Sequence, residues 1–149
     1  MTGRQVLFIC VENAGRSLMA EAIFNADPPP GWVATSAGTR PAAAPNPRTG
    51  PLLEEIDLRL PEHAPQMLTQ EMMEEAGIRV TLGCLDDASC PARLKSLTVR
   101  DWGLEDPAHL DDDGFRRIRG KLVDLILGLR TEIVASDRRP TDQVPNPPP

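Results

Sequence analysis

What most limits the folds open to this chain is a buried strand that runs straight into a small polar loop and then a helix. Gln5-Val6-Leu7-Phe8-Ile9 is a short, β-rich apolar run of the kind covered on both faces in a parallel sheet. It continues into Cys10-Val11-Glu12-Asn13-Ala14-Gly15-Arg16-Ser17, made of small and polar residues. Leu18-Met19-Ala20-Glu21-Ala22-Ile23-Phe24-Asn25 follows, dominated by good helix formers. Strand, loop and helix in this order predict a βα unit. In an open α/β sheet such a loop lies beyond the carboxyl end of its strand, where ligands bind.

The rest of the chain repeats the theme. Asp27-Pro28-Pro29-Pro30-Gly31 ends the helix, because proline lacks the amide and drives its predecessor into extended geometry; Trp32-Val33-Ala34-Thr35-Ser36 reads as the next strand. Residues 37–50 read as loop, followed by short helices near 52–56 and 69–76, with Gly77 as a stop. Arg79-Val80-Thr81-Leu82 and Ser96-Leu97-Thr98-Val99 supply two more strands. Phe115, Ile118, Leu122, Leu125, Ile126 and Leu129 recur at spacings of three and four, an apolar stripe on a long helix that leaves Arg116, Arg117 and Lys121 outside it. The alternation predicts a three-layer open α/β sheet of four parallel strands with helices on both faces. A single domain is expected over residues 1–136, and residues 137–149, with five of the sixteen prolines, read as a disordered tail.

Composition narrows the function. With 40% hydrophobic and 26% charged residues the chain has ordinary globular usage. A net charge of −6 and 3% aromatics without tyrosine argue against polyphosphate backbones and base stacking, hence against nucleic acid. The apolar run from Val6 to Val11 is far short of the roughly 20 residues of a spanning helix, so no membrane partner is expected. No export signal is read, which implies the cytoplasm, where three cysteines are thiols and not a disulfide framework. A monomer is the simplest expectation.

The loop itself carries chemistry. Cys10 at a strand end and Arg16-Ser17 at a helix start form an oxyanion cradle: inward amides, the positive end of the helix and a guanidinium that grips two oxygens of a tetrahedral anion. The same positive field favours a thiolate at Cys10. Gly15 permits unusual torsions, and Ser17 donates to the sulfur or caps the helix. The plain alternative is a buried structural cysteine beside a solvated arginine. Cys84 and Cys90 stand as small core residues, half of a metal site, or a reactive pair. Their spacing is no zinc knuckle and His63 and His109 form no ligand pattern with them, so no metal is expected.

On these residues, Cys10 to Ser17 resembles the anion loop of low-molecular-weight tyrosine phosphatases and of the arsenate reductases that share their fold. Ser36-Ala37-Gly38-Thr39-Arg40-Pro41 is similar to the family's segment after its second strand. Asp101-Trp102-Gly103-Leu104-Glu105-Asp106-Pro107-Ala108 resembles the acid-bearing loop of the reductase branch. The aromatic residues that follow Asp-Pro in the phosphatases are absent after Pro107, and two cysteines follow the third strand, as in the reductases.

The resemblance implies a thioredoxin-coupled arsenate reductase. Cys10 attacks arsenate, Cys84 attacks Cys10 and releases arsenite, and Cys90 closes a Cys84–Cys90 disulfide that thioredoxin or another dithiol reduces. It further implies that Val11, Glu12, Asn13, Ala14, Gly15, Arg16 and Ser17 hold the oxyanion and that Asp106 donates a proton; the plain alternative for Asp106 is a turn with Pro107. Arg40 either adds positive potential near the mouth or lies on the surface. No bound cofactor is implied beyond a weak monovalent-cation site at Asn13, Glu21 and Ser36. Read by themselves, those three are a loop-bonding asparagine, a solvated helix residue and a strand end. Gly83 follows Thr81-Leu82 where the family usually has its first cysteine, so which thiol resolves Cys10 stays open. Two further readings remain: a phosphatase working through a phosphocysteine, and a non-enzymatic oxyanion-binding or thiol-sensing module.

Overall fold

The computed structural model describes residues 4–83 and 99–143; Cys84, Cys90 and residues 96–98 of the predicted fourth strand lie outside the described residues. β1 (Gln5–Cys10) is buried from its second residue onward. It is flanked by β2 (Val33–Gly38) and β3 (Ile78–Thr81), and β4 (Arg100–Asp101) completes a parallel sheet of order β2-β1-β3-β4.

Because successive side chains of a strand point to opposite faces, β1 feeds two cores at once. Val6, Phe8 and Cys10 join one layer with α1 (Arg16–Ala26), α2 (Thr49–Glu54) and α4 (Asp112–Gln143). Leu7 and Ile9 join the other, with Leu68 and with Met73 of α3 (Gln70–Glu75). The continuous apolar run is therefore the sequence of a central strand, and the three-layer arrangement follows from it. On α4, Phe115, Ile118, Leu122, Ile126 and Leu129 are buried as their spacing predicts, with Ile133 added, while Leu125 is only partly covered. Burying each such side chain is worth about 1.5–3 kcal/mol.

Several boundaries differ from the sequence expectation. Among the described residues, β4 pairs with Val80 and Thr81 through Arg100 and Asp101, just beyond Val99. The Trp102 amide extends it to the Thr81 carbonyl at 2.9 Å and its ring packs 5.8 Å from Phe8, while Val99 packs against the opposite layer. β2 runs on to Gly38, opposite Cys10. α4 continues past Ser136 to Gln143. Asp137 there accepts from Arg4 Nη1 and Trp32 Nε1, each at 3.0 Å, tying the helix to the segments that open β1 and β2.

Candidate active site

β1 delivers Cys10 to the carboxyl edge of the sheet with 3% of its surface exposed. The loop that follows is turned inside out by its neighbours. The carbonyls of Cys10, Val11, Glu12 and Ala14 accept from the amides of Thr39, Arg40, Ala42 and Asn46, and Ala14 also accepts from Thr49 Oγ1 at 2.9 Å. With its carbonyls held outward, the loop turns amides toward the space above the sulfur, the geometry of an anion nest. The Asn13 amide lies 3.3 Å from Cys10 Sγ. Asn13 adopts φ 52°, a left-handed torsion that asparagine tolerates. Gly38 permits the close packing of β2 on this loop: a Cβ there would fall 2.5 Å from the Val11 carbonyl oxygen. α1 then starts at Arg16 without any side-chain cap, so its first amides remain to meet an anion.

The hydrogen-bond directions beneath the loop can be assigned from chemistry. Asn13 Nδ2 donates to Ser17 Oγ at 2.7 Å and to Ser36 Oγ at 3.0 Å, which uses both of its protons. Ser17 Oγ, having accepted one bond, turns its own proton to Cys10 Sγ at 2.9 Å. Ser36 Oγ likewise donates to Glu21 Oε1 at 2.6 Å. Glu21 is 7% exposed and also meets His63 Nε2 at 2.8 Å; it is therefore not the solvated helix residue that its sequence position suggests.

His63 Nδ1 faces the Ala64 carbonyl at 2.8 Å. Facing a carbonyl on one side and a carboxyl on the other, the two ring nitrogens are placed to donate on both sides, which favours the imidazolium form. Burial opposes that charge, but the Ala64 carbonyl and the Glu21 carboxylate outweigh it and raise the His63 pKa above its ordinary value. A polar chain thus runs from Cys10 through Ser17, Asn13 and Ser36 to the partly buried Glu21–His63 pair. His109, by contrast, is exposed.

The oxygens expected to hold a monovalent cation have protein donors instead. Asn13 Oδ1 accepts from the Gln66 amide at 3.0 Å, the Ser36 carbonyl from Gln66 Nε2 at 2.8 Å, and Glu21 Oε1 from Ser36 and His63. These residues do not fit a cation site. Among the described residues no cluster of His, Cys, Asp and Glu is arranged to hold a metal.

Arg16 closes the cradle. Its Nη1 donates to the carbonyls of Leu82 at 2.6 Å and Leu104 at 2.9 Å, leaving the Nε–Nη2 edge for an anion. Nη2 is 3.9 Å from Asp106 Oδ2, and Asp106 is half exposed, at the rim. Gly83, at φ 103°, is what makes this possible: a Cβ there would overlap Arg16 Nη1 and the Leu104 carbonyl.

The cavity is walled by Cys10, Glu12, Ala14, Gly15, Arg16, Asn46, Asp106, Pro107 and Phe115. The structure thus brings Cys10, Arg16, Ser17 and Asp106 together with the 11–17 loop. Val11, Asn13 and Ser17 are not on the wall; Asn13 and Ser17 hold the loop and the sulfur from behind, and Arg40 is exposed, bonded to the loop through its backbone. Asn46, His63, Gln66 and Phe115 escape a reading of the sequence. Phe115 is hidden among the helix stripe, and the others sit in loops whose partners are distant in the chain.

A thiol at a strand end, an amide nest, a helix N-terminus and an opposed carboxyl form, in an α/β fold, a site shaped for a tetrahedral oxyanion. The chain belongs to the low molecular weight phosphotyrosine protein phosphatase family, whose model matches residues 5–139. It is 30% identical over 122 residues to arsenate reductase 1 of Staphylococcus epidermidis, covering 82% of this chain and 92% of that protein. Among solved structures it is similar to an arsenate reductase from Archaeoglobus fulgidus, with TM-score 0.69 and 29% identity over 85% of this chain and 98% of that one. It is also similar to a Corynebacterium glutamicum thioredoxin-dependent arsenate reductase, with TM-score 0.66 and 30% identity over 86% of this chain and 62% of that one. No helix among the described residues is long and apolar enough to cross a membrane.

Proposed function

We propose that this protein reduces arsenate to arsenite with electrons from a dithiol protein such as thioredoxin. The observation that carries the reading is the Cys10 sulfur, held by the Ser17 hydroxyl and the Asn13 amide under a nest closed by Arg16. The reductases among its relatives supply the substrate class.

Arsenate enters with its oxygens on the amides and the Nε–Nη2 edge of Arg16. Cys10 attacks arsenic, a sulfur–arsenic bond forms, and an oxygen leaves as water with a proton from Asp106. A second thiolate, assigned to Cys84, attacks Cys10 Sγ. The sulfur–arsenic bond breaks, its electron pair stays on arsenic as arsenite, and a disulfide remains on the protein. Cys90 then attacks Cys84, restoring the Cys10 thiolate and leaving a Cys84–Cys90 disulfide for the external dithiol. The odd thiol count and the reducing chemistry suit a cytoplasmic enzyme.

A second reading, hydrolysis of phosphate esters through a phosphocysteine, draws on the same cradle and on Phe115 as one apolar wall of the cavity. NADPH consumption with arsenate, thioredoxin and thioredoxin reductase separates them. Reduction is expected in the wild type and lost in Cys10→Ser, Cys84→Ser and Cys90→Ser. Ester hydrolysis that survives Cys84→Ser and Cys90→Ser, without arsenite formation, overturns the proposal in favour of the phosphatase.

A further inference from the structure

The segment bearing Asp106 and the anion loop belong to different parts of the chain; Arg16 reaches that segment from within the loop, and a second arginine reaches it from outside. Residues 46–49 are anchored to the anion loop, because Asn46 N and Thr49 Oγ1 both donate to the Ala14 carbonyl, at 3.0 and 2.9 Å. Arg48 sits between these anchors, its own amide fixed by Asn46 Oδ1 at 2.9 Å.

From there its guanidinium crosses to the other segment. Nη2 donates to the carbonyl of Pro107, the residue after Asp106, at 3.2 Å. Nη1 donates to the Leu110 carbonyl at 2.7 Å and reaches Asp112 Oδ1 at 3.3 Å. The same plane lies 5.0 Å from the ring centroid of Phe115, a fully buried wall of the cavity.

We infer that Arg48 is a positioning residue that fixes Asp106 over the oxyanion. The inference rests on the reading of Asp106 as the proton donor. A planar fork suits the task, since it satisfies two carbonyls of a tight turn and stacks on a ring together, which an ammonium does not do. The Arg48 side chain is also 32% exposed, and its pair with Asp112 is made with an exposed carboxylate, a contact of small worth to stability.

The test is a double-mutant cycle on single-turnover arsenite formation, with inorganic phosphate as competitor to report anion affinity. Arg48→Met is expected to slow the first step about tenfold, the scale of a misplaced catalytic group, without changing phosphate inhibition. Asp106→Asn is expected to slow it about a hundredfold, and the double variant no further, because a displaced acid and an absent one are the same loss. Arg48→Lys, which keeps the charge, is expected to behave as Arg48→Met and covers any folding defect of the latter. Wild-type rates in Arg48→Lys, or a double variant slower than Asp106→Asn by the full Arg48 factor, overturn the inference. An Asp106→Asn variant at the wild-type rate removes it too, while arsenate reduction stands. Should the wild type not reduce arsenate, the function reading fails, and the same cycle on 4-nitrophenyl phosphate hydrolysis decides the role of Arg48.

Discussion

The Ser17 hydroxyl lies 2.9 Å from the Cys10 sulfur while its oxygen accepts from Asn13 Nδ2, so its proton is free to donate to the sulfur once Cys10 is a thiolate. A hydrogen bond to an ionised acceptor is worth about 1.5–3 kcal/mol, so Ser17→Ala should slow attack of Cys10 on arsenate by roughly ten- to a hundredfold. Single-turnover arsenite release measures this. A wild-type rate in Ser17→Ala would remove the hydroxyl from the account of sulfur activation.

Gly83 gives Arg16 its place. At φ 103° any side chain is strained, and a Cβ would collide with Arg16 Nη1. Gly83→Ala should therefore push the guanidinium off its two carbonyls and weaken anion binding by about tenfold or more, since Arg16 is the clamp. Competition by inorganic phosphate reads the effect, and unchanged inhibition would show that the clamp does not depend on Gly83.

The His63–Glu21 pair makes stability depend on pH with a definite sign. His63 has a folded-state pKa raised above 6.5, its ordinary value. Its contribution is fully present below that value and is lost as pH rises through the higher folded one. The melting temperature of wild type should exceed that of His63→Gln most clearly on the acid side of 6.5, with the gap closing as the solution becomes alkaline. A gap that is constant over this range would contradict a charged His63.

Gln66 and His63 occupy the oxygens that a monovalent cation would use. Replacing potassium chloride with choline chloride at equal ionic strength should leave both turnover and melting temperature unchanged. A clear gain of either in potassium would mean that these protein donors give way to the ion.

Much of this arrangement is legible in the sequence, for identifiable reasons. The central strand shows because both its faces are buried, the long helix because its stripe repeats every three or four residues, and the Cys10–Ser17 loop because nucleophile, glycine, arginine and serine are contiguous. What does not show depends on contacts between distant segments. Glu21 lies in a helix whose buried set extends nearly all round, so no polar face marks it as exposed or buried. Its partners Ser36 and His63 lie 15 and 42 residues away. Gly83 looks like a departure from a family pattern until Arg16 is seen against it. The described part of the fourth strand, Arg100–Asp101, is only two residues long, too short for any periodicity to mark it.

The central claim is that the Cys10 sulfur takes up arsenic and passes the resulting oxidation to the other two cysteines. Reduced protein mixed with arsenate in the absence of any external reductant, then quenched, alkylated and analysed by mass spectrometry, tests it directly. The account predicts one arsenite released per chain, a protein lighter by two hydrogens, and a disulfide joining Cys84 to Cys90 with Cys10 alkylated. Arsenite formation with all three cysteines still alkylated, or an oxidised pair that forms equally well in Cys10→Ser, would contradict it.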